Sequence, residues 1–248
     1  MDKMVKLDVV SDPEEYLEHT HKELWKIVTK YMKKSGSTGC NKTDYATLYK
    51  NIRKHKFKEV LECGTGVSTI VIAYALYENM KETGIEGKVT SMESIQKYYD
   101  QSKKLLPKLL NPYVDILYSP IDSDYHTVFR GIKYKDVPDK QYDFCWIDGP
   151  SFKISTKLGR ISFNFDFINA VRNSEGYVCG LVDGRYSTIY TLQLIFGVDK
   201  VKVYDSKSRG EGIHESGYCG ILGVIDSVNA EQLKTTTKGN FFDERVVR

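Results

Sequence analysis

From Phe57 onward the chain alternates short apolar runs with segments of helical spacing, and no other feature of the sequence restricts its fold as strongly. The apolar runs cover 58–63, 88–92, 114–118, 142–147 and 177–182. Segments 68–81, 95–110, 163–173 and 186–196 repeat apolar residues every three or four positions and read as helices. Runs that are apolar at consecutive positions are buried on both faces, and such strands linked by helices build a parallel sheet between two helical layers. Region 119–141 is looser and polar, and no regular element is expected there.

Both ends depart from this rhythm. Near the start, Asp12 is a good N-cap, Pro13 suits the first helical position, and Glu14 and Glu15 favour the positive end of the helix dipole. Tyr16, Leu17, Leu24, Ile27, Val28 and Tyr31 then recur at helical spacing until Gly36. A second helix is expected over 44–55, with Tyr45, Leu48, Tyr49 and Ile52 on one stripe. Near the other end, 201–204 and 218–225 read as strands joined without a helix, so they must pair antiparallel. The expected organisation is an α/β three-layer sandwich over 57–226, preceded by a helical cap over 1–56 and followed by a polar tail over 227–248 that frays.

Composition narrows the class of function. Lys and Arg number 36 against 33 Asp and Glu, a formal charge of +3, which does not suggest a nucleic-acid partner. The basic run over 50–58 reads as a solvated helix face. The five cysteines contain no CxxC pair, and Cys63, Cys145 and Cys179 fall within strand-like runs, as reduced, buried thiols do. No apolar run approaches the roughly 20 residues needed to cross a bilayer. A soluble, cytoplasmic protein without a membrane partner is expected. A homodimer is compatible with the sequence, which sets no oligomeric state.

An open parallel sheet binds ligands beyond the carboxyl ends of its strands. There the first strand turns through Glu62-Cys63-Gly64-Thr65-Gly66-Val67-Ser68-Thr69. Gly64 and Gly66 remove side chains that would hold a ligand off the backbone, and the helix starting near Ser68 presents its free N–H groups to the same place. Glu93 closes the second strand, where a carboxylate can take both hydroxyls of an adenosine ribose. The dinucleotide pattern G-x-G-x-x-G is incomplete, because Thr69 stands where its third glycine belongs. Glu62 adds a carboxylate that repels a pyrophosphate and suits the cationic sulfonium and ammonium of S-adenosylmethionine.

The run VLECGTGVSTIVIA resembles motif I of the class I S-adenosylmethionine-dependent methyltransferases, and its GVST portion resembles the branch related to catechol O-methyltransferase. YDFCWIDGP over 142–150 and GYVCGLVDG over 176–184 resemble that branch's fourth and fifth strands, and the resemblance covers about 44–225. It implies a seven-stranded sheet, six strands parallel and the last antiparallel. It also implies that Glu62, Gly64 and Gly66 surround the methionine part of the cofactor and that Glu93 holds the ribose, with Thr65, Ser68 and Asp148 as further cofactor-binding candidates. Asp122 lies nearest to the acid that the family carries close to the adenine, offset by Ser119-Pro120-Ile121.

Asp148 and Asp183 follow the fourth and fifth strands and should reach one rim, where paired carboxylates can hold Mg²⁺. In the catechol-type enzymes an Asn beside the second Asp completes that site; here Gly184 takes its place, leaving a metal site one ligand short. Metal-free transfer needs alignment and removal of the acceptor's proton. In that reading Asp148 is the base or orients the acceptor, Arg185 holds an anionic substrate, and His126 is a second base candidate on a loop. His214 is undecided between a site and a surface role. The expected function is methylation of a small-molecule acceptor at oxygen or nitrogen. The alternatives are a nicotinamide-dependent oxidoreductase and a non-catalytic binding module of the same fold.

Overall fold

A computed structural model describes residues 4–36, 42–150, 155–156, 159–160, 163–204 and 222–233. Cys40, Cys219 and His214 lie outside the described residues, as does most of the expected tail. The chain runs through a π-helical turn (Glu15–Thr20), α1 (Lys22–Ser35), α2 (Lys42–His55), β1 (Glu59–Cys63), α3 (Val67–Thr83), β2 (Lys88–Glu93) and α4 (Gln96–Leu105). After a 3₁₀ turn (Lys108–Tyr113) follow β3 (Val114–Tyr118), β4 (Ile121–His126), β5 (Phe129–Tyr134) and β6 (Phe144–Ile147). Two short strands, β7 (Ser155–Thr156) and β8 (Gly159–Arg160), precede α5 (Asp166–Asn173), β9 (Val178–Val182), α6 (Tyr186–Phe196), β10 (Val201–Tyr204) and β11 (Leu222–Val228).

Seven strands form one sheet in the order β10-β11-β9-β6-β1-β2-β3. The β1–β2, β2–β3, β1–β6 and β6–β9 pairs are parallel, while β11 runs antiparallel to both β9 and β10. Side chains alternate across the sheet as a pleat requires. Val60, Phe144, Trp146, Leu181 and Val224 pack with α1, α2 and α3; Leu61, Cys63, Cys145, Ile147 and Val182 pack with α5, α6 and the β4–β5 hairpin. The strand order reverses at β1, between β2 and β6, which makes the turns after β1 and β6 the place for a ligand.

Several boundaries differ from expectation for local reasons. Asp12 caps as predicted, its carboxylate accepting the Glu15 N–H at 3.0 Å, but the first helix breaks at His21 into a wide π turn and α1. The His21 ring fills that break, packed between Tyr16 and Tyr49 with centroids 4.5 and 4.6 Å away. Pro107 cannot continue a helix, so α4 stops at Leu105. Segment 119–141, expected to be irregular, holds the antiparallel β4–β5 hairpin, and α5 starts only at Asp166. Fraying does not begin at 227: Ser227 and Val228 are buried in β11, and the segment starting at Val5 runs beside it, with Ser227 N–H donating to the Val5 carbonyl at 3.1 Å. Among the described residues no helix is long and apolar enough to cross a membrane.

Candidate active site

Backbone hydrogen bonds continue one residue beyond the parallel strands and fix the order of groups along the rim. Asp183 N–H donates to the Ile147 carbonyl (3.0 Å), Asp148 N–H to Cys63 (3.0 Å), Gly64 N–H to Met92 (3.0 Å) and Ser119 N–H to Glu93 (2.8 Å). Asp183, Asp148, Gly64, Glu93 and Ser119 therefore stand on neighbouring strand ends, about 4.8 Å apart from one to the next.

The two glycines of the first turn serve different purposes. Gly64 has φ +100°, a conformation that L side chains rarely adopt, and a Cβ there would lie 3.1 Å from the Gly149 nitrogen. The turn after β1 thus packs backbone to backbone on the turn after β6. Gly66 caps α3 with extended backbone (φ 171°), which any residue can adopt, and a Cβ there would meet nothing within 4 Å. No described residue requires a glycine at 66; the open space beside it, at the N-terminus of a 17-residue helix, is a cradle a side chain would fill.

Glu62 is fully buried beneath the first turn of α3. Ser68 and Thr69 donate to its two oxygens, each at 2.6 Å, and the Gly66 N–H donates to the Thr69 hydroxyl at 2.9 Å. The Thr65 hydroxyl lies 3.2 Å from that of Thr69 and completes the cluster. Burial pushes Glu62 up to about 7, with the hydroxyls of Ser68, Ser91 and Thr69 opposing the shift. Glu62 thus ties the end of β1 to the first turn of α3. Glu93 keeps the rim position: its Oε1 accepts the N–H groups of Ser94 (2.7 Å) and Ile95 (2.8 Å), and burial raises its pKa.

On the β6 side, Arg185 braces the turn that carries Asp148. Its guanidinium donates to the Pro150 carbonyl at 2.7 Å and to the Asp148 carbonyl, and lies 4.0 Å from the Asp148 carboxylate. Beneath the same turn, the side-chain amide of Asn164 donates to the Gly149 carbonyl and to Asp166 Oδ2, both at 2.9 Å. Asp166 accepts the Tyr134 N–H at 3.1 Å and the Cys63 thiol at 3.6 Å. Burial pushes Asp166 up to about 7, against the pull of these donors.

No protein-family model and no curated protein matches this sequence. Its fold does match solved structures. The O-methyltransferase TomG from Streptomyces achromogenes, involved in tomaymycin synthesis and solved with S-adenosylmethionine, superposes with a TM-score of 0.51 at 14% identity, over 82% of this chain and 89% of that one. An O-methyltransferase from Bacillus cereus, solved with S-adenosylhomocysteine, gives 0.52 at 16% identity, over 81% and 90%. The fold is that of the class I methyltransferases. The strand order and the antiparallel β11 are the ending that motif I and its neighbours implied.

Against this fold, two predicted residues fall away from the rim. Asp122 lies exposed on β4, opposite Lys133, and accepts the N–H of its neighbour Ser123; Ser119 takes the place after β3. His126 ends β4 against the last turn of α5, its Nδ1 3.2 Å from the Arg172 guanidinium. Six residues of helix, about 9 Å of rise, separate Arg172 from Asp166. His126 is also buried, and burial with the Arg172 charge lowers its pKa. Among the described residues no group of three or more His, Cys, Asp or Glu is arranged to hold a metal ion. Asn164, Asp166 and Tyr134 were not anticipated. The run Phe163-Asn164-Phe165-Asp166-Phe167 carried a signal, since an amide and an acid interleaved with three phenylalanines mark a buried polar network.

Proposed function

We propose that this chain is an S-adenosylmethionine-dependent methyltransferase acting on a hydroxyl group of a small molecule. The observation that carries the reading is Gly66, a glycine in ordinary extended backbone that faces open space where the ligand of this fold is expected. The O-methyltransferases it superposes on, with S-adenosylmethionine or S-adenosylhomocysteine bound, support the same reading. Buried free thiols at Cys63, Cys145 and Cys179 fit a reducing, cytoplasmic setting.

S-adenosylmethionine supplies, when bound, a methyl group on a positively charged sulfur. The chain's task is then to bind, align and deprotonate. Gly66 and the first amides of α3 receive the donor, and Glu93, pre-oriented by two backbone N–H groups, takes the ribose hydroxyls. Asp148, held at the rim by Arg185 and Asn164 through its turn, orients the acceptor and accepts its proton. A metal-free site is favoured because Arg185 already places a positive charge beside Asp148 and Gly184 offers no ligand beside Asp183.

Isothermal titration tests this reading. The expected result is binding of S-adenosylhomocysteine and no binding of NAD; NAD binding alone would assign the chain to the oxidoreductases. Gly66→Val should keep the thermal midpoint within a few degrees and weaken S-adenosylhomocysteine more than tenfold. Gly64→Ala should destabilise the fold instead, by about 1–2 kcal/mol from the left-handed backbone alone.

A further inference from the structure

Tyr134 closes β5, and its backbone is fixed by the N–H bond to Asp166. The residue is 2% exposed and belongs to the buried cluster that holds Leu61, Cys63, Met92 and Ile147. The hydroxyl lies against Gly149: a Cβ on that glycine would stand 2.6 Å from it and 2.8 Å from the Gly64 nitrogen. It is therefore lodged where the turns after β1 and β6 meet, and only glycine at 149 leaves room for it.

Buried tyrosine hydroxyls ordinarily find a partner, and leaving that bond unmade works against the fold. The Tyr134 hydroxyl makes no hydrogen bond to any described residue, yet it does not belong with the sealed, unpartnered groups such as the Trp146 indole nitrogen. The groups whose charges act on it, Cys63, Glu93, Asp166 and Arg185, all sit at the carboxyl ends of the sheet or directly beneath them. The hairpin that occupies the β3–β6 connection thus delivers a phenol to the floor of the crevice.

We propose that Tyr134 is a ligand-contacting residue whose hydroxyl donates a hydrogen bond to the nucleoside part of the bound methyl donor. This rests on the cofactor assignment above. The nucleoside is the part concerned because the hydroxyl lies where the Gly149 turn meets Gly64 at the end of β1, and the next strand in the sheet, β2, ends in Glu93, the group assigned to the ribose. A role as the acceptor's base is disfavoured: burial, with the neighbouring Cys63, Glu93 and Asp166, pushes the phenol well above its ordinary pKa and keeps it a donor.

Tyr134→Phe removes only the hydroxyl, which no described residue needs. Titration of wild type and variant with S-adenosylhomocysteine and with 5′-methylthioadenosine, which lacks the amino-acid end, tests the contact. The expected result is an unchanged thermal midpoint and affinities for both ligands reduced by the same factor, about 3–10-fold. Unchanged affinities, a loss confined to S-adenosylhomocysteine, or a variant that fails to fold would each overturn the proposal. Failure of the wild type to bind either ligand would overturn the cofactor assignment itself.

Discussion

Glu62 is a carboxylate buried completely and surrounded by hydroxyls with no cation among them, so its ionisation works against the fold. Burial raises its pKa to about 7 from an ordinary 4.5, so the folded state holds a proton that the unfolded state has released. Its penalty is absent below about 4.5, grows as pH rises and is complete above 7. His21, His55 and His126, lowered by burial, act in the opposite sense, but only below their ordinary value of about 6.5. Between pH 6.5 and 8 the buried acids are left to act. Urea unfolding across that window should show wild-type stability falling. Glu62→Gln, whose amide the rotatable hydroxyls of Ser68, Thr69 and Ser91 can satisfy, should fall less. Parallel profiles for the two proteins would remove Glu62 from the account. The sequence made Glu62 visible, because an acid just before Gly64 breaks an apolar strand. Its role was not visible, because the bonds to Ser68 and Thr69 depend on how α3 leaves the turn.

Elements with a buried periodic face were readable, and the one without such a face was not. The strands β3, β10 and the helix α6 lie where their apolar patterns put them. The β4–β5 hairpin escaped for two physical reasons. Its first strand, Ile-Asp-Ser-Asp-Tyr-His, buries only His126, so no apolar alternation marks it. Its turn is Thr127-Val128, with Thr127 at φ 53°, and carries no glycine or asparagine of the kind that announces a two-residue hairpin loop. Backbone bonds between Ile132 and Phe163 and Phe165 hold the hairpin against the segment that carries Asn164, and the Asn164 side chain joins the Gly149 carbonyl to Asp166 and, through Asp166, to Tyr134. Asn164→Ala orphans the Gly149 carbonyl and the Asp166 N–H, which Asn164 Oδ1 accepts at 2.9 Å, and takes one donor from Asp166 Oδ2. The expected loss is about 2–4 kcal/mol, from roughly 1–3 kcal/mol per orphaned group, read as a lower urea midpoint at constant m-value. A loss below about 0.5 kcal/mol would mean the network is ornamental to the fold.

At the scale of the whole molecule, the division into an N-terminal cap and a separate core meets the packing. Leu17, Leu24, Val28, Leu48 and Ile52 are each at most 1% exposed, and they share one cluster with Val60, Phe144 and Trp146 of the sheet. Asp226 in β11 accepts the Leu7 N–H at 2.9 Å, and Asn51 of α2 accepts the Asp8 N–H at 2.9 Å, so the segment around Leu7 is tied to β11 and to α2. At about 1.5–3 kcal/mol for each large apolar side chain, the five buried residues alone represent on the order of 10 kcal/mol. That is as large as the whole stability of an ordinary domain, about 5–15 kcal/mol. We therefore propose that 1–56 is part of the folding unit. A fragment spanning 57–248 should lack a cooperative thermal transition and bind a hydrophobic dye, whereas the full chain should unfold in one step. If the fragment unfolds cooperatively with far-UV circular dichroism matching an intact sheet, the N-terminal helices are a detachable cap after all.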